Sequence, residues 1–250
     1  AEALNNLGIV LRDLERPTEA EQAYKRALAQ KPGYLEAANN LILAYKDQKR
    51  FDEALAAAQE ALKLHPKNGD ALAYMGAVYV EQKKTDLALE ALTKSLAIQP
   101  NKAETLNMMA RAWMDAGQAE KAVECCRRAI AIRPTYADPY NNMGNALKEL
   151  GRFDEALAVF DRALALSPHE ASGIYANLSD AKKFRSRDDA HLRGMESLLD
   201  GKLSEERQIH VHFGAAKAFD DLNLYDEAFR HLAAGNALKR KTIAYDERAS

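Results

Sequence analysis

Five prolines recur at a constant interval of 34 residues, and this spacing constrains the fold more than any other feature of the chain. They are Pro32, Pro66, Pro100, Pro134 and Pro168. Because a proline inside a helix costs about 3 kcal/mol or more, each of them predicts the end of a helix. A regular period of this length predicts a chain built from repeated units of one kind.

Small and large residues keep the same period between the prolines. Small residues dominate the columns that begin at Gly8, Ala20 and Ala27, and larger apolar residues fill those that begin at Leu7 and Leu11. Their spacing predicts two helices per unit, the second running from about residue 18 to residue 30. Each unit is then a helical hairpin too small to bury its own apolar face, so neighbouring hairpins must stack.

This pattern of small and large columns closed by a proline resembles the tetratricopeptide repeat (TPR) family. The resemblance implies an all-α fold, a right-handed α-solenoid of helix-turn-helix hairpins with about 14 helices. It covers five successive units, which are 1–34, 35–68, 69–102, 103–136 and 137–170.

The repeat columns disappear after Pro168. Residues 171–208 still show apolar residues at helical spacing and are predicted to form a divergent helical pair. The run Tyr225–Ala228 then repeats Phe153–Ala156, displaced by four residues from the period. We therefore expect residues 209–250 to form a sixth, degenerate TPR-like hairpin and a C-terminal tail, within one elongated solenoid.

The charge and the composition of the chain limit the classes of binding partner and the cellular compartment that we expect. The 35 Lys and Arg residues nearly balance 37 Asp and Glu residues, which argues against a nucleic-acid partner. No stretch approaches about 18 consecutive apolar residues, so no membrane partner is expected. The adjacent Cys125 and Cys126 exclude a disulfide framework and favour a cytoplasmic location. The chain starts at Ala1 without a signal peptide, and we expect it to be part of a longer protein.

No motif of a known catalytic or metal site occurs in the sequence. His210 and His212 are two residues apart and point to different sides of a helix, so they do not predict a metal site. Cys126 falls on the core stripe, and Cys125 is expected to be a passive thiol at the surface or half-buried. We therefore predict no catalytic residue, no bound metal and no cofactor, and hence no enzyme in this segment.

Asparagine is concentrated on one side of the first helix of each unit, roughly opposite its apolar stripe. Eight of the thirteen asparagines fall there, although asparagine is roughly 0.6 kcal/mol worse than alanine in a helix. In a stacked array these faces align along one concave surface. The predicted groove consists of Asn5, Asn6, Asn39, Asn40, Tyr74, Asn107, Met108, Arg111, Asn141, Asn142 and Asn145.

The asparagine stripe has two interpretations. The amides could bind the backbone of an extended peptide, since each amide donates and accepts hydrogen bonds. In this respect the stripe is similar to the asparagine ladder of O-GlcNAc transferases, and the similarity implies a polypeptide substrate. Alternatively, the amides bond to neighbouring repeats or to water and support packing. Tyr74 and Met108 interrupt the ladder and, with Met114, could form a local apolar pocket or merely fill the inner surface.

A second polar column consists of acidic residues near the ends of the same helices, where the helix dipole disfavours negative charge. Its members are Asp13, Asp47, Glu81, Asp115 and Glu149. They need cationic partners, either from an incoming ligand or from nearby bases. The interleaved Arg12, Lys46, Arg111 and Lys148 favour local pairing.

The last seventy residues carry a second resemblance. Several short runs in this region are similar to the linker of bacterial TPR-containing sulfotransferases. They are Ala181–Phe184, Asp188–Asp189, His212–Leu222, Tyr225–Phe229, Gly235–Arg240 and Tyr245–Asp246. The resemblance implies a parent enzyme whose catalytic domain uses phosphoadenosine phosphosulfate. The donor-binding loop of that family does not occur before Ser250, so no catalytic residue is transferred to this chain.

The sequence therefore predicts a scaffold that binds a protein or peptide in an asparagine-rich groove, as the N-terminal TPR region of a larger sulfotransferase-type protein. One alternative is the substrate-recruiting region of an O-GlcNAc-transferase-like glycosyltransferase. Another is a purely architectural array that associates end to end through its exposed terminal repeat, because Ala1 opens directly on a repeat without a capping helix.

Overall fold

The computed structural model describes residues 1–168 and 171–242, and within these ranges it contains fourteen α-helices and no strand. The helices are α1 (Glu2–Asp13), α2 (Pro17–Gln30), α3 (Leu35–Asp47), α4 (Phe51–Leu64), α5 (Gly69–Glu81), α6 (Thr85–Ile98), α7 (Ala103–Asp115), α8 (Ala119–Ile132), α9 (Ala137–Glu149), α10 (Phe153–Leu166), α11 (Ala171–Ala181), α12 (Ala190–Leu199), α13 (Glu205–Asp221) and α14 (Tyr225–Thr242). The predicted all-α class is confirmed. The tail with Tyr245 and Asp246 lies outside the described residues.

The chain divides into two compact units, Ala1–Arg133 and Pro134–Ser250. Unit 1 contains α1 to α8, and unit 2 contains α9 to α14. We call the odd-numbered helices A helices and the even-numbered helices B helices. Within each unit, an A helix packs against the B helix that follows it, and that B helix packs against the next A helix; the pair α11 and α12 is the loosest.

Six of the seven turns from an A helix to its B helix share one backbone geometry. Residues Glu15, Lys49, Lys83, Gly117, Gly151 and Asn223 all have φ between 57° and 71°. In the first turn, the Glu15 N–H donates to the Arg12 carbonyl and the Arg16 N–H to the Leu11 carbonyl, both at 2.9 Å. These bonds satisfy the last carbonyls of the A helix. The same turn at Asn223 supports the proposal that α13 and α14 form a TPR-like hairpin.

The spacing of the A helices continues beyond the residues where the sequence columns end. Helices α3, α5, α7, α9, α11 and α13 begin at Leu35, Gly69, Ala103, Ala137, Ala171 and Glu205, each 34 residues after the one before. The repeat pattern around Tyr225 is displaced by four residues because α13 is four residues longer than the earlier A helix α9. Helix α13 has 17 residues and α9 has 13. Helix α13 therefore begins before the predicted boundary at residue 209.

Close contact between paired helices depends on small residues, as the columns predict. The residues Ala20, Ala54, Ala88, Ala122 and Ala156 are all fully buried. A Cβ atom at Gly8 would lie 2.4 Å from Cε1 of Tyr24, and one at Gly144 would lie 2.4 Å from Cε1 of Phe160. Both contacts are far shorter than a carbon–carbon contact of about 3.5 Å, so only glycine fits opposite these rings.

A buried carboxylate joins the first two hairpins. Glu21 on α2 accepts hydrogen bonds from Arg50 at 2.5 Å, from Lys25 at 2.7 Å and from the Tyr45 hydroxyl at 3.3 Å. Burial by itself would raise the pKa of Glu21, but the bonds from Lys25 and Arg50 hold the pKa below its usual value. The carboxylate is therefore ionised at neutral pH and stabilises the junction between α2 and α3.

Leu7, which the sequence places on the core stripe, is 46% exposed, whereas its repeat equivalents Leu41 and Met109 are buried. The physical reason is position in the array. Leu41 and Met109 lie on A helices that are covered by a preceding B helix. Among the described helices, α1 contacts only α2 and α3, and neither covers Leu7 in this way.

Replacing Gly144 by Ala tests the packing limit. We expect Gly144→Ala to lower the free energy of unfolding by about 1–3 kcal/mol, because the new methyl group overlaps the buried Phe160 ring. Gly173→Ala on α11 is the matched control, since no described atom lies within 4 Å of a Cβ there. The control should be neutral or stabilising by up to about 1 kcal/mol. Urea unfolding followed by circular dichroism measures both, and equal effects would contradict the packing argument.

Candidate functional site

The A helices line the inner side of unit 1, in which every residue is described. Helix α1 contacts α3, α3 contacts α5, and α5 contacts α7, whereas no two B helices of this unit are in contact. Since the A helices are closer together than the B helices, the A side is concave. The predicted groove residues of this unit all lie on these A helices.

The Asn5 column of unit 1 holds the hairpins together. Asn5 is 4% exposed, and its side-chain oxygen accepts a bond of 2.9 Å from Asn40 on the next A helix. The Asn39 oxygen accepts a bond of 2.8 Å from Asn68, and the Asn39 amide donates to Asp70 at 3.4 Å. The bonds of Asn5 and Asn39 therefore join neighbouring hairpins, and Asn107 of the same column is buried.

An amide bond of this kind also occurs in unit 2, and sequence reasoning missed one of its members. Asn141 accepts a bond of 3.1 Å from Asn177 on α11, beside a small polar pocket of about 110 Å³. Asn177 follows Asn141 by 36 residues, not 34, so counting along the repeat period does not find it. Asn142 and Asn145 are half-buried on the same helix as Asn141.

The column next to Asn5 is more accessible. Asn6 is exposed, and Asn40, Tyr74 and Met108 at the equivalent positions of the next three hairpins are half-buried. Burial raises the pKa of the Tyr74 hydroxyl, which therefore stays protonated and can donate a hydrogen bond. This column therefore presents the amides of Asn6 and Asn40 at one end of unit 1. At the other end, Tyr74 and Met108 form an apolar patch.

Apolar side chains border this column. Ile9 and Leu43 are half-buried three residues beyond Asn6 and Asn40, and Met114 and Trp113 are half-buried near the end of α7. Sequence reasoning singled out the asparagines and not Ile9 and Leu43, although helical spacing places them on the same side. The inner surface of unit 1 is therefore more apolar than the asparagine stripe suggests.

Charged groups along this surface are paired with one another. Arg111 bonds Glu81 at 2.8 Å and Lys83 bonds Asp115 at 2.8 Å, both between neighbouring hairpins. The pairs Arg12–Asp13 and Lys46–Asp47 have distances of 3.5 and 2.9 Å. Four of the five acidic residues of this column therefore pair locally, with Lys83 as a partner that the sequence analysis did not foresee. In unit 2, Lys148 bonds Asp180 at 3.2 Å.

The two cysteines are both buried, so Cys125 is not at the surface or half-buried as expected. Burial raises the pKa of Cys125 to about 11 and that of Cys126 to about 12. Both thiols are therefore protonated at neutral pH and are poor nucleophiles. Among residues 1–168 and 171–242, no group of three or more His, Cys, Asp or Glu side chains is placed to hold a metal ion.

Unit 2 contains a second, polar pocket of about 410 Å³ between α12, α13 and α14. Two histidines face each other in it, with 3.0 Å between the Nδ1 atoms of His212 and His231. The Phe219 ring stacks on His231, and Arg187 lies over Phe219 while it pairs with Glu196. Sequence reasoning considered His212 only as a partner of His210 and did not find this pair, whose members lie on different helices.

Sequence profiles described as tetratricopeptide repeat match residues 1–34 and 137–170, and also 46–112 and 79–130. A further profile described as TPR repeat matches residues 110–151. Together these matches span more than half of the 250 residues. The chain therefore belongs to the tetratricopeptide repeat family.

Several solved structures share the fold at low sequence identity. A tetratricopeptide repeat protein from Parabacteroides merdae is 17% identical with a TM-score of 0.67, covering 98% of this chain and 94% of its own. A thermophilic TPR protein from Thermus thermophilus is 21% identical with a TM-score of 0.63, covering 72% of this chain and 97% of its own. YrrB, described as a TPR protein with an unusual peptide-binding site, is 17% identical with a TM-score of 0.55, covering 85% and 99%.

No curated protein sequence matches the chain. Among the described residues, no helix has both the length and the apolar character needed to cross a membrane. The fold and the family define a class of protein–protein interaction scaffolds, and the ligand has to be inferred from the side chains on the inner surface.

The histidine pair predicts an acid-sensitive unit 2. Burial lowers the pKa of His212 and of His231 from 6.5, and the nearby His212 lowers that of His231 further. The unfolded chain therefore binds protons more readily than the folded chain does, so the stability contribution is complete above pH 6.5 and decreases as the pH falls below that value. We expect the urea midpoint of unit 2 to fall over this range.

Fluorescence or circular dichroism at pH 7.5 and 5.5 measures this midpoint. The double variant His212→Leu and His231→Leu should lose the dependence, at a cost of at most about 1.4 kcal/mol per histidine and pH unit. The exposed His210 on the same helix provides the control His210→Gln, which should keep it. An unchanged dependence in the double variant would exclude the pair as its source.

Proposed function

We propose that the inner surface of unit 1 binds an extended polypeptide. The observation that carries the proposal is the accessible column of Asn6, Asn40, Tyr74 and Met108 on adjacent A helices. Its amides can donate to and accept from a peptide backbone, whereas Tyr74 and Met108 can enclose an apolar side chain. The peptide-binding site named for YrrB, a structural neighbour, supports this function.

The column that begins at Asn5 and the column that begins at Asn6 differ in their contacts, and this difference defines which residues form the proposed site. Asn5, Asn39 and Asn107 keep a structural role in this proposal, because they are buried or their side-chain oxygens accept bonds between hairpins. Asn40 donates the bond to Asn5, and its side-chain oxygen is the group proposed to accept from a peptide. The bound peptide would contact Asn6, Asn40, Tyr74, Met108 and Arg111 of unit 1. Asn141, Asn142 and Asn145 of unit 2 remain candidates for the same role in their own unit.

The pairing of charges on this surface suggests the type of peptide. Arg111 and Lys83 already bond Glu81 and Asp115. A charged ligand would have to compete with these pairs, whereas a peptide with little charge and one large apolar residue would not. We therefore propose a neutral, apolar segment as the ligand class.

Peptides selected on the full chain from a random phage-displayed library test the site. We expect Met108→Ala to weaken the selected peptides about tenfold, because it removes apolar contact worth about 1.4 kcal/mol. Asn6→Ala should weaken them about fivefold through one lost amide bond of about 1 kcal/mol. Fluorescence anisotropy measures both affinities.

Asn39→Ala is the matched control for this experiment. It removes an amide of the neighbouring column and leaves the Asn68 amide without its acceptor, so it should lower stability by about 1–3 kcal/mol. The peptide affinity of the folded variant should stay within about twofold of that of the parent chain. Unchanged affinity in both Met108→Ala and Asn6→Ala, with intact helicity, would remove this column from the binding site.

We infer further that the chain is the substrate-recruiting TPR region of a cytoplasmic sulfotransferase-type protein. The support is the similarity of His212–Leu222 and Tyr225–Phe229 to the linker of such enzymes. If this is correct, the complete gene product should transfer a sulfuryl group from phosphoadenosine phosphosulfate to a polypeptide carrying a groove-binding segment. Transfer of a sugar from a nucleotide sugar instead would favour the glycosyltransferase alternative.

A further inference from the structure

We propose that a pocket between the first two hairpins binds a tryptophan side chain of a partner polypeptide. The pocket has a volume of about 300 Å³. It is lined by residues of α2, α3 and α4 and of the turn between α2 and α3. The proposal is independent of peptide binding on the inner surface, because a different face of α3 forms the pocket.

The small side chain of Ala38 leaves room for the pocket. The residues at the equivalent position of the other four repeats are all large, and they are Leu4, Leu72, Leu106 and Tyr140. Leu106 is fully buried, so a large side chain fills this position on α7. Alanine at position 38 therefore makes the junction of the first two hairpins different from the later junctions.

The pocket faces away from the inner surface. Ala38 and Asn40 are two residues apart on α3, so their side chains point about 200° apart around the helix axis. Asn40 reaches Asn5 on the neighbouring A helix α1. Ala38 instead lines the pocket together with Leu28 of α2 and Ala57 of α4. The pocket is therefore on the side of α3 that the B helices cover.

The walls of the pocket are mostly apolar, and one of them is aromatic. Leu28 and Leu41 form part of its interior, and Leu64, which is 57% exposed, forms part of its rim. The side chain of Tyr34 lines the pocket as well. Apolar walls favour an apolar occupant. The Tyr34 ring favours an aromatic one, because aromatic rings pack well against each other.

Two polar side chains of the pocket offer hydrogen-bond acceptors. Glu60 bonds Lys63 through Oε1 at 2.5 Å, and its Oε2 can accept from a further donor. His65 Nε2 lies 2.9 Å from the Gly33 carbonyl, which can only accept, so this nitrogen donates and Nδ1 of the neutral ring is an acceptor. Tryptophan matches both features, because its large apolar ring carries one N–H donor and no acceptor.

Methyl NMR of the full chain tests the proposal, with the tripeptide acetyl-Gly-Trp-Gly-amide as the probe. We expect saturable shifts of the methyl resonances of Leu28, Leu41 and Leu64, with a Kd of about 1 mM. The same tripeptide with Phe or Leu at its centre should bind about fivefold more weakly, because neither side chain donates a hydrogen bond. Equal affinities of the three tripeptides would overturn tryptophan as the occupant. Shifts confined to the Met108 methyl group would overturn the pocket as the site and leave the inner surface as the place of binding.

Ala38→Leu should weaken the tryptophan tripeptide at least about tenfold, because the larger side chain fills the pocket. Leucine already occupies the equivalent position in three repeats, so we expect the variant to fold with a urea midpoint no lower than that of the parent chain. Ala131→Leu makes the same substitution at an exposed position of α8 and is the matched control, which should bind like the parent chain. A folded Ala38→Leu variant with undiminished affinity would show that the tripeptide does not enter the pocket.

Leu64→Ala provides a second test at an exposed position, where the fold is not at risk. It removes part of the rim and should weaken the tryptophan tripeptide about threefold. Circular dichroism should show equal helicity for all variants. If Leu64→Ala binds the tripeptide as tightly as the parent chain does, the proposal is wrong.

Discussion

The contact between the two helices of a hairpin depends on the combined volume of two facing positions, one on each helix. Gly8 faces Tyr24 and Gly144 faces Phe160, with no room for even a methyl group on the glycine. In the second hairpin the sizes are exchanged, because Ile42 stands at the glycine position and Ala58 at the aromatic one, both fully buried. The repeat therefore maintains a sum of volumes and not a residue type, as expected for a close-packed interior. A constant distance between helices follows, and it is what brings equivalent residues of successive A helices side by side.

Most of the fold could be predicted from the sequence, because periodic side-chain size determines both the helices and their pairing. The second helix of the first unit was expected to start near residue 18 and starts at Pro17. The extra turn of α13 could not be placed, because the sequence pattern near Ala216 and Ala228 aligns with the turn at Asn223 and not with the helix start. That start is set locally by Ser204, whose hydroxyl accepts from the Arg207 N–H at 3.4 Å. Four residues are close to one helical turn of about 3.6 residues, so the longer helix keeps its apolar side toward its neighbours.

The sequence predicts which side of each A helix carries the candidate site, but it does not predict which of the residues on that side are buried. Helical spacing places Asn5 and Asn6 on the same side of α1, yet Asn5 is buried and Asn6 is exposed. The difference arises from Asn40, whose amide reaches back 2.9 Å to Asn5 and closes the space between α1 and α3. Whether two amides form a hydrogen bond depends on the distance between neighbouring A helices. The spacing of residues along one helix gives no information on that distance. For the same reason the amide of Asn177, two residues out of period, was not foreseen.

Paired charges on the inner side of unit 1 have a consequence for selectivity. The bonds Arg111–Glu81 and Lys83–Asp115 both connect the α5–α6 hairpin with α7, so each positive group is compensated by a group from the adjoining hairpin. Exposed pairs of this kind contribute only about 0–1 kcal/mol to stability. Their larger effect would be on ligand choice, because an acidic or basic peptide gains little Coulomb energy from charges that are already neutralised. Discrimination would then depend on amide hydrogen bonds and on the shape of the apolar patch at Tyr74 and Met108, both of which act at short range. Such a surface can select an extended peptide by the position of the large side chain in the peptide sequence. That side chain must reach the apolar patch while the peptide backbone bonds the amides, and the regular spacing of the hairpins sets the distance between the two.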